Sequence, residues 1–147
     1  MKTAFVIIDP WKYCEDEDVK QFPDLLSQCF AFSHYLKSMI PELERYADIF
    51  VDGSGREISD WFQGINSCDL QDLKHKKILL GGFHFGRCIH NKAKKVLDKS
   101  VGIVNNLSIV FPADKMQSFH REMKKFDNYY FTPAGGFEEI ECISMKM

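Results

Sequence analysis

The chain has 147 residues, 45% hydrophobic, 27% charged and 14% aromatic, with 9 Gly and 5 Pro; this composition excludes disordered, collagen-like and fibrous classes and predicts one soluble globular domain spanning residues 1–147. Lys plus Arg number 19 against 21 Asp plus Glu, a formal charge of -2, so no strong overall field draws nucleic acid or an anionic membrane, and neither is expected as a partner. At this length folding buries roughly two thirds of the surface the unfolded chain exposes, so a core forms without disulfides or a structural metal.

The longest apolar runs, such as Ala4 to Ile8, are far shorter than the ~20 residues that cross a bilayer, and neither a signal peptide nor a membrane span is expected. Five cysteines, Cys14, Cys29, Cys68, Cys88 and Cys142, form an odd set without a C-x-x-C pair. That pattern points to a reducing compartment and a cytoplasmic location rather than to a disulfide framework or a zinc knuckle.

Thr3 to Asp9 is a continuous apolar run ending in an acid and a proline, the pattern of a strand buried on both faces whose carboxyl end reaches a site. After the acidic loop Glu15 to Asp18, the spacing from Pro23 through Leu36 to Ile40 predicts a helix, with Pro23 and Asp24 suited to its first turn. Ala47 to Asp52 followed by Gly53-Ser54-Gly55 reads as a second strand and a turn, and Lys76 to Gly82 as a third strand. Between them, Trp61, Phe62 and Gly64 fall in irregular chain before a short helix near Asp69 to Lys74. From Arg87 a helical spacing runs through Cys88, Ile89, Ala93, Val96 and Leu97, with Gly102 as its stop. Asn106 to Phe111 reads as a fourth strand, Lys115 to Phe126 as a further helix capped by Asp114, and the tail as short strands around 129–131 and 140–143. The alternation predicts an α/β fold, a three-layer, doubly wound, mostly parallel sheet with ligands beyond the carboxyl ends of its strands.

Asp9, Asp52, Asp114 and the loop from Gly82 to Cys88 all fall at such ends. A cysteine opening a helix directly after a strand has its thiolate stabilised by the dipole and N–H groups of the first turn, and Arg87 and His90 add nearby positive charge. Asp9 could accept the thiol proton if the first and third strands are neighbours. A free cysteine is equally a small core residue, and an acid ending a strand equally caps a loop. Trp61 and Phe62 read either as an aromatic wall of a pocket or as core or oligomer contacts, and Lys92, Lys94, Lys95 and Lys99 as the solvated face of their helix.

Three segments in order, Val6-Ile-Ile-Asp9-Pro-Trp11, Leu79-Leu-Gly-Gly82 with Cys88-Ile89 and Ala93 behind it, and Leu107 to Asp114, resemble the isochorismatase-like cysteine hydrolase family. The resemblance implies an isochorismatase-like fold and hydrolysis of a small amide, carbamoyl or related substrate through a Cys88 thioester, with Asp9 as base. It also implies a strained loop at Phe83-His84-Phe85, a pocket bounded by Trp11, Trp61, Phe62, Phe83, His84 and Phe85, and a homo-oligomer. The family's triad lysine has no counterpart between the second strand and Lys74; Arg56 is the nearest equivalent, and its guanidinium keeps the charge without exchanging protons near neutral pH. Asp52-Gly-Ser is not followed by the histidines of the metal-binding members, so neither a metal nor another cofactor is expected. The missing lysine and the short interval from Asp52 to Cys88 keep a second class open, a catalytically degenerate protein of this fold with a binding or assembly role.

Overall fold

A computed structural model describes residues 3–12, 23–85, 88–96, 100–110 and 129–132. The elements in chain order are β1 (Thr3–Ile8), α1 (Pro23–Leu43), β2 (Asp48–Asp52), β3 (Lys77–Phe85), α2 (Cys88–Lys94), β4 (Ser100–Val110) and β5 (Tyr129–Thr132), with 3-10 turns at Asp60–Phe62 and Leu70–Asp72. They form a five-stranded sheet of order β2-β1-β3-β4-β5 in which every pair is parallel. The expected helix at Lys115 to Phe126, the strand near 140–143, the acidic run, Cys14, Cys142, Arg87 and Asp114 lie outside the described residues.

The order explains why β1 reads as an unbroken apolar run. It lies between β2 and β3, and all six of its residues are buried. Its two faces feed two cores. Phe5 and Ile7 pack with Cys29, Leu36, Ile40 and Leu43 of α1, whereas Ala4, Val6 and Ile8 pack with Ile89, Ala93 and Val96 of the α2 segment. One helix on each face of a parallel sheet is the three-layer arrangement that buries such a strand.

Gly81 and Gly82 allow β3 to approach its neighbours. A Cβ on Gly81 would lie 2.5 Å from the Leu107 carbonyl oxygen and 2.7 Å from Phe5. Gly82 has φ +104, and a Cβ there would lie 2.6 Å from the Ile8 carbonyl oxygen. The β3–β4 register jumps beside Gly81, from Leu80↔Ile103 to Gly82↔Ser108, so a bulge in β4 accommodates this approach.

Two boundaries differ from the sequence expectation. β4 begins at Ser100 rather than Asn106, and Gly102 pairs with Leu79 within it instead of stopping a helix. Val101, Ile103 and Val104 are completely buried, and a β-branched run flanking one glycine favours a strand that packs both faces. β3 also continues past Gly82 to Phe85, so residues 83–85, expected as a loop, extend the strand with an irregular pairing to Ile109 and Val110.

Candidate active site

In a β2-β1-β3 arrangement the chain leaves β1 toward one neighbour and returns to the other, and the crevice between their carboxyl ends is where ligands bind in open α/β sheets. Asp9 follows β1, Asp52 ends β2, and Cys88 opens α2 three residues after β3. Topology therefore assembles groups that are far apart in sequence.

Asp9 is 4% exposed. Its φ of 49 lies in the left-handed region, which an aspartate tolerates better than most residues. The conformation follows from its bonds. The Asp9 N–H donates to the Asp52 carbonyl at 2.8 Å, completing the β1–β2 ladder, while its own carbonyl accepts from the Trp11 N–H at 2.8 Å. The chain thereby turns sharply, and Trp11 pairs antiparallel with Ile58 beyond β2.

The Cys88 thiol hydrogen-bonds the Asp9 carboxylate, and the Ser54 hydroxyl donates to Asp9 Oδ1 at 2.9 Å. Burial pushes the Asp9 pKa above the usual carboxylate value. The bonds from Cys88 and Ser54 and the charge of Lys92 pull against that rise, and the Asp52 carboxylate adds to it. A buried acid with a raised pKa, bonded to a thiol, is placed to take up and return that thiol's proton.

Asp52 is 2% exposed and fully engaged. Its Oδ1 accepts from the Ser54 N–H at 3.1 Å and its Oδ2 from the Leu70 N–H at 2.9 Å. Lys92 Nζ lies 3.1 Å from both oxygens. The Lys92 side chain is only 14% exposed, so this residue, expected on a solvated face, is half-buried against the end of β2. Cys68 sits beside the pair; burial, reinforced by Asp52, pushes its thiol up to about 12.

An open cleft of about 500 Å³ borders these groups, lined among others by Asp52, Ser54, Arg56, Ile58, Cys68 and Lys92. Arg56, expected as the nearest equivalent of the triad lysine, is exposed on the wall of this cleft with its guanidinium 3.9 Å from the Trp11 ring centroid. The Trp11 indole N–H donates to the Gly53 carbonyl at 2.6 Å, so Trp11 braces the turn that carries Ser54.

The expected aromatic walls divide. Phe62 and Phe83, 1% and 2% exposed, belong to the core under α1, where Phe83 meets Phe32 edge-on at 5.3 Å and Phe62 at 6.4 Å. They serve packing rather than a pocket surface, because alternation along β3 turns Phe83 to the α1 face. Trp61 is half-buried at the edge of that core, edge-on to His34 and within 5.6 Å of Lys37 Nζ. His84 and Phe85 lie in β3, but their side chains, like that of His90, are outside those described. Sequence reasoning missed Ser54 and Lys92. The signal for Lys92 was its position four residues after Cys88, one helical turn along the same face.

A cysteine and a buried acid joined at the switch point of a parallel sheet define an α/β protein with a thiol–carboxylate site. No protein-family model and no curated protein matches the chain, but solved structures do. A "putative MAR1 ribonuclease" from Leishmania major has a TM-score of 0.66 at 14% identity, covering 99% of this chain and 83% of that one. A hypothetical protein from Trypanosoma cruzi has a TM-score of 0.57 at 16% identity, covering 99% and 91%. YcaC from Pseudomonas aeruginosa, in a structure with hexane-2,5-diol and covalent acrylamide, has a TM-score of 0.60 at 10% identity, covering 99% and 81%. The fold is accordingly the isochorismatase-like α/β fold. No helix among the described residues is long and apolar enough to cross a membrane.

Proposed function

We propose that the protein is a cysteine hydrolase acting on a small amide, carbamoyl or related group, with Cys88 as nucleophile and Asp9 as its base. The observation that carries this reading is the hydrogen bond between the Cys88 thiol and the buried Asp9 carboxylate. Asp9 takes the thiol proton as sulfur attacks the carbonyl carbon, and returns it to the departing amine as the tetrahedral intermediate collapses to a thioester. Water, giving its proton to Asp9, then attacks the thioester carbon; the C–S bond breaks, the acid product departs, and the proton passes from Asp9 back to the Cys88 sulfur. In this reading the developing oxyanion is met by backbone N–H groups at the opening of α2. A solved structure of YcaC, a protein of this fold, carries covalent acrylamide, an electrophile of the kind that thiolates attack, which agrees with thiol chemistry on this fold.

The reading requires no metal or cofactor and includes a homo-oligomeric protein. It is tested by assaying ammonia release from a panel of small primary amides and carbamoyl compounds while intact mass is followed for an acyl adduct. Turnover and an adduct that both vanish in Cys88→Ala are expected. Turnover that persists in that variant contradicts the assignment. The withdrawal of Phe62 and Phe83 into the core favours a second reading, a degenerate protein with a binding or assembly role, for which no compound of the panel would be turned over.

A further inference from the structure

Lys92 forms, with the buried Asp52, a charge pair beside the site that the proposed reaction does not use. It projects from α2 one turn after Cys88, and its ammonium lies 3.1 Å from each oxygen of Asp52. Asp52 in turn holds the Ser54 N–H, and the Ser54 hydroxyl holds Asp9 Oδ1. The chain of contacts therefore runs from Lys92 through Asp52 and Ser54 to Asp9, and from there to the Cys88 thiol.

The charge balance shows what this arrangement does. Asp9 and Asp52 are both buried, and their backbones are bonded directly. Two neighbouring buried carboxylates resist simultaneous ionisation, so without a cation one would take up a proton. A protonated Asp9 is no base. Asp52 accepts from the Ser54 and Leu70 N–H groups as well as from Lys92, whereas burial works against the charge of Asp9, so Asp9 is the group that would surrender its charge.

We infer that Lys92 is the positioning cation of the Cys88 site: bound across Asp52, it allows Asp9 to remain ionised and, through Asp52 and Ser54, holds it against the thiol. The inference rests on Asp9 acting as the base for Cys88. It supplies, from the helix of the nucleophile itself, a lysine where the interval between β2 and Lys74 holds only the exposed Arg56. Other charged or titratable groups around the pair are Arg56 and Asp69, which line the cleft, and Cys68, on which Asp69 and Asp72 act.

Alkylation of Cys88 by iodoacetamide provides the test, followed by peptide mass spectrometry from about pH 5 to 9. The thiol S–H bond breaks, its proton passes to Asp9 and then to solvent, and an S–C bond forms as iodide leaves. Lys92→Met should move the acidic limb of the rate profile to higher pH, with a rate at pH 7 about tenfold lower, whereas Lys92→Arg should stay close to the unsubstituted protein. Lys92→Met leaves Asp52 buried without its cation and can fail to fold. Asp52→Asn should move the limb to lower pH, and adding Lys92→Met to Asp52→Asn, where no buried carboxylate is stranded, should move it back up about tenfold. A folded Lys92→Met protein with an unmoved profile, or no difference between Asp52→Asn and the double variant, overturns the inference. If the unsubstituted protein shows no Asp9-dependent limb at all, the assignment of Asp9 as base has failed instead.

Discussion

A carboxylate at 4% exposure and φ 49 pays for its position when it ionises. Because burial raises the Asp9 pKa in the folded protein, the native state holds that proton more tightly than the unfolded chain does. Stability from this group is therefore greatest below the unfolded carboxylate value and declines as pH rises through the folded value. Asp9→Asn removes the penalty. Its melting temperature at pH 7 should exceed that of the unsubstituted protein, and thermal melts at decreasing pH should show the gap closing as Asp9 protonates. Gly82 shows another constraint at the same scale. Its φ is +104, and an added methyl group would sit 2.6 Å from the Ile8 carbonyl oxygen, so Gly82→Ala should destabilise the fold by about 3 kcal/mol in urea unfolding. The displaced neighbour directly precedes Asp9, so the same substitution should also slow Cys88 alkylation.

Among the elements, strands were the most legible. The run ending in Asp9 and the Leu79-Leu-Gly-Gly82 exit marked β1 and β3 because a fully buried parallel strand leaves a continuous run of apolar residues, and the half-buried edge strand β2 was marked by Ile49-Phe50-Val51 ahead of the Gly53-Ser54-Gly55 turn. The start of β4 was hidden because Gly102 resembles a helix stop. Its pairing with Leu79, and that of Val101 with Ile78, become apparent only once the register is known. Lys92 was missed for a related reason: its spacing puts it on the helix face of Cys88, but only topology places the end of β2 over that face. Aromatic roles were also ambiguous in sequence. Phe62 is a core side chain, so Phe62→Ala should cost ~3–5 kcal/mol of stability, and Trp61→Ala, at the core edge, markedly less. Denaturant unfolding of the two variants distinguishes core packing from a pocket wall.

At the scale of the molecule, function depends on strand order. Placing β1 between β2 and β3 brings Asp9, Asp52 and Cys88 to one crevice, and no local feature of the sequence specifies that order. The fold class was legible from the alternation of strands and helices; Asp9, Asp52 and Cys88 were legible as residues at strand ends, whereas the contact of Lys92 with Asp52 was not. The expected homo-oligomer belongs to this scale too. Light scattering on the eluting protein should give a multiple of the chain mass, and a monomer would remove that part of the account.

The central claim is that Asp9 activates Cys88, and the rate of Cys88 carbamidomethylation at weakly acidic pH tests it most directly, with Cys68, whose thiol is pushed up to about 12, as the internal control. The account predicts Cys88 labelling well below the pH at which an ordinary thiol reacts, lost in Asp9→Asn. Labelling of Cys88 no faster than that of Cys68, or equal in the two proteins, would contradict it.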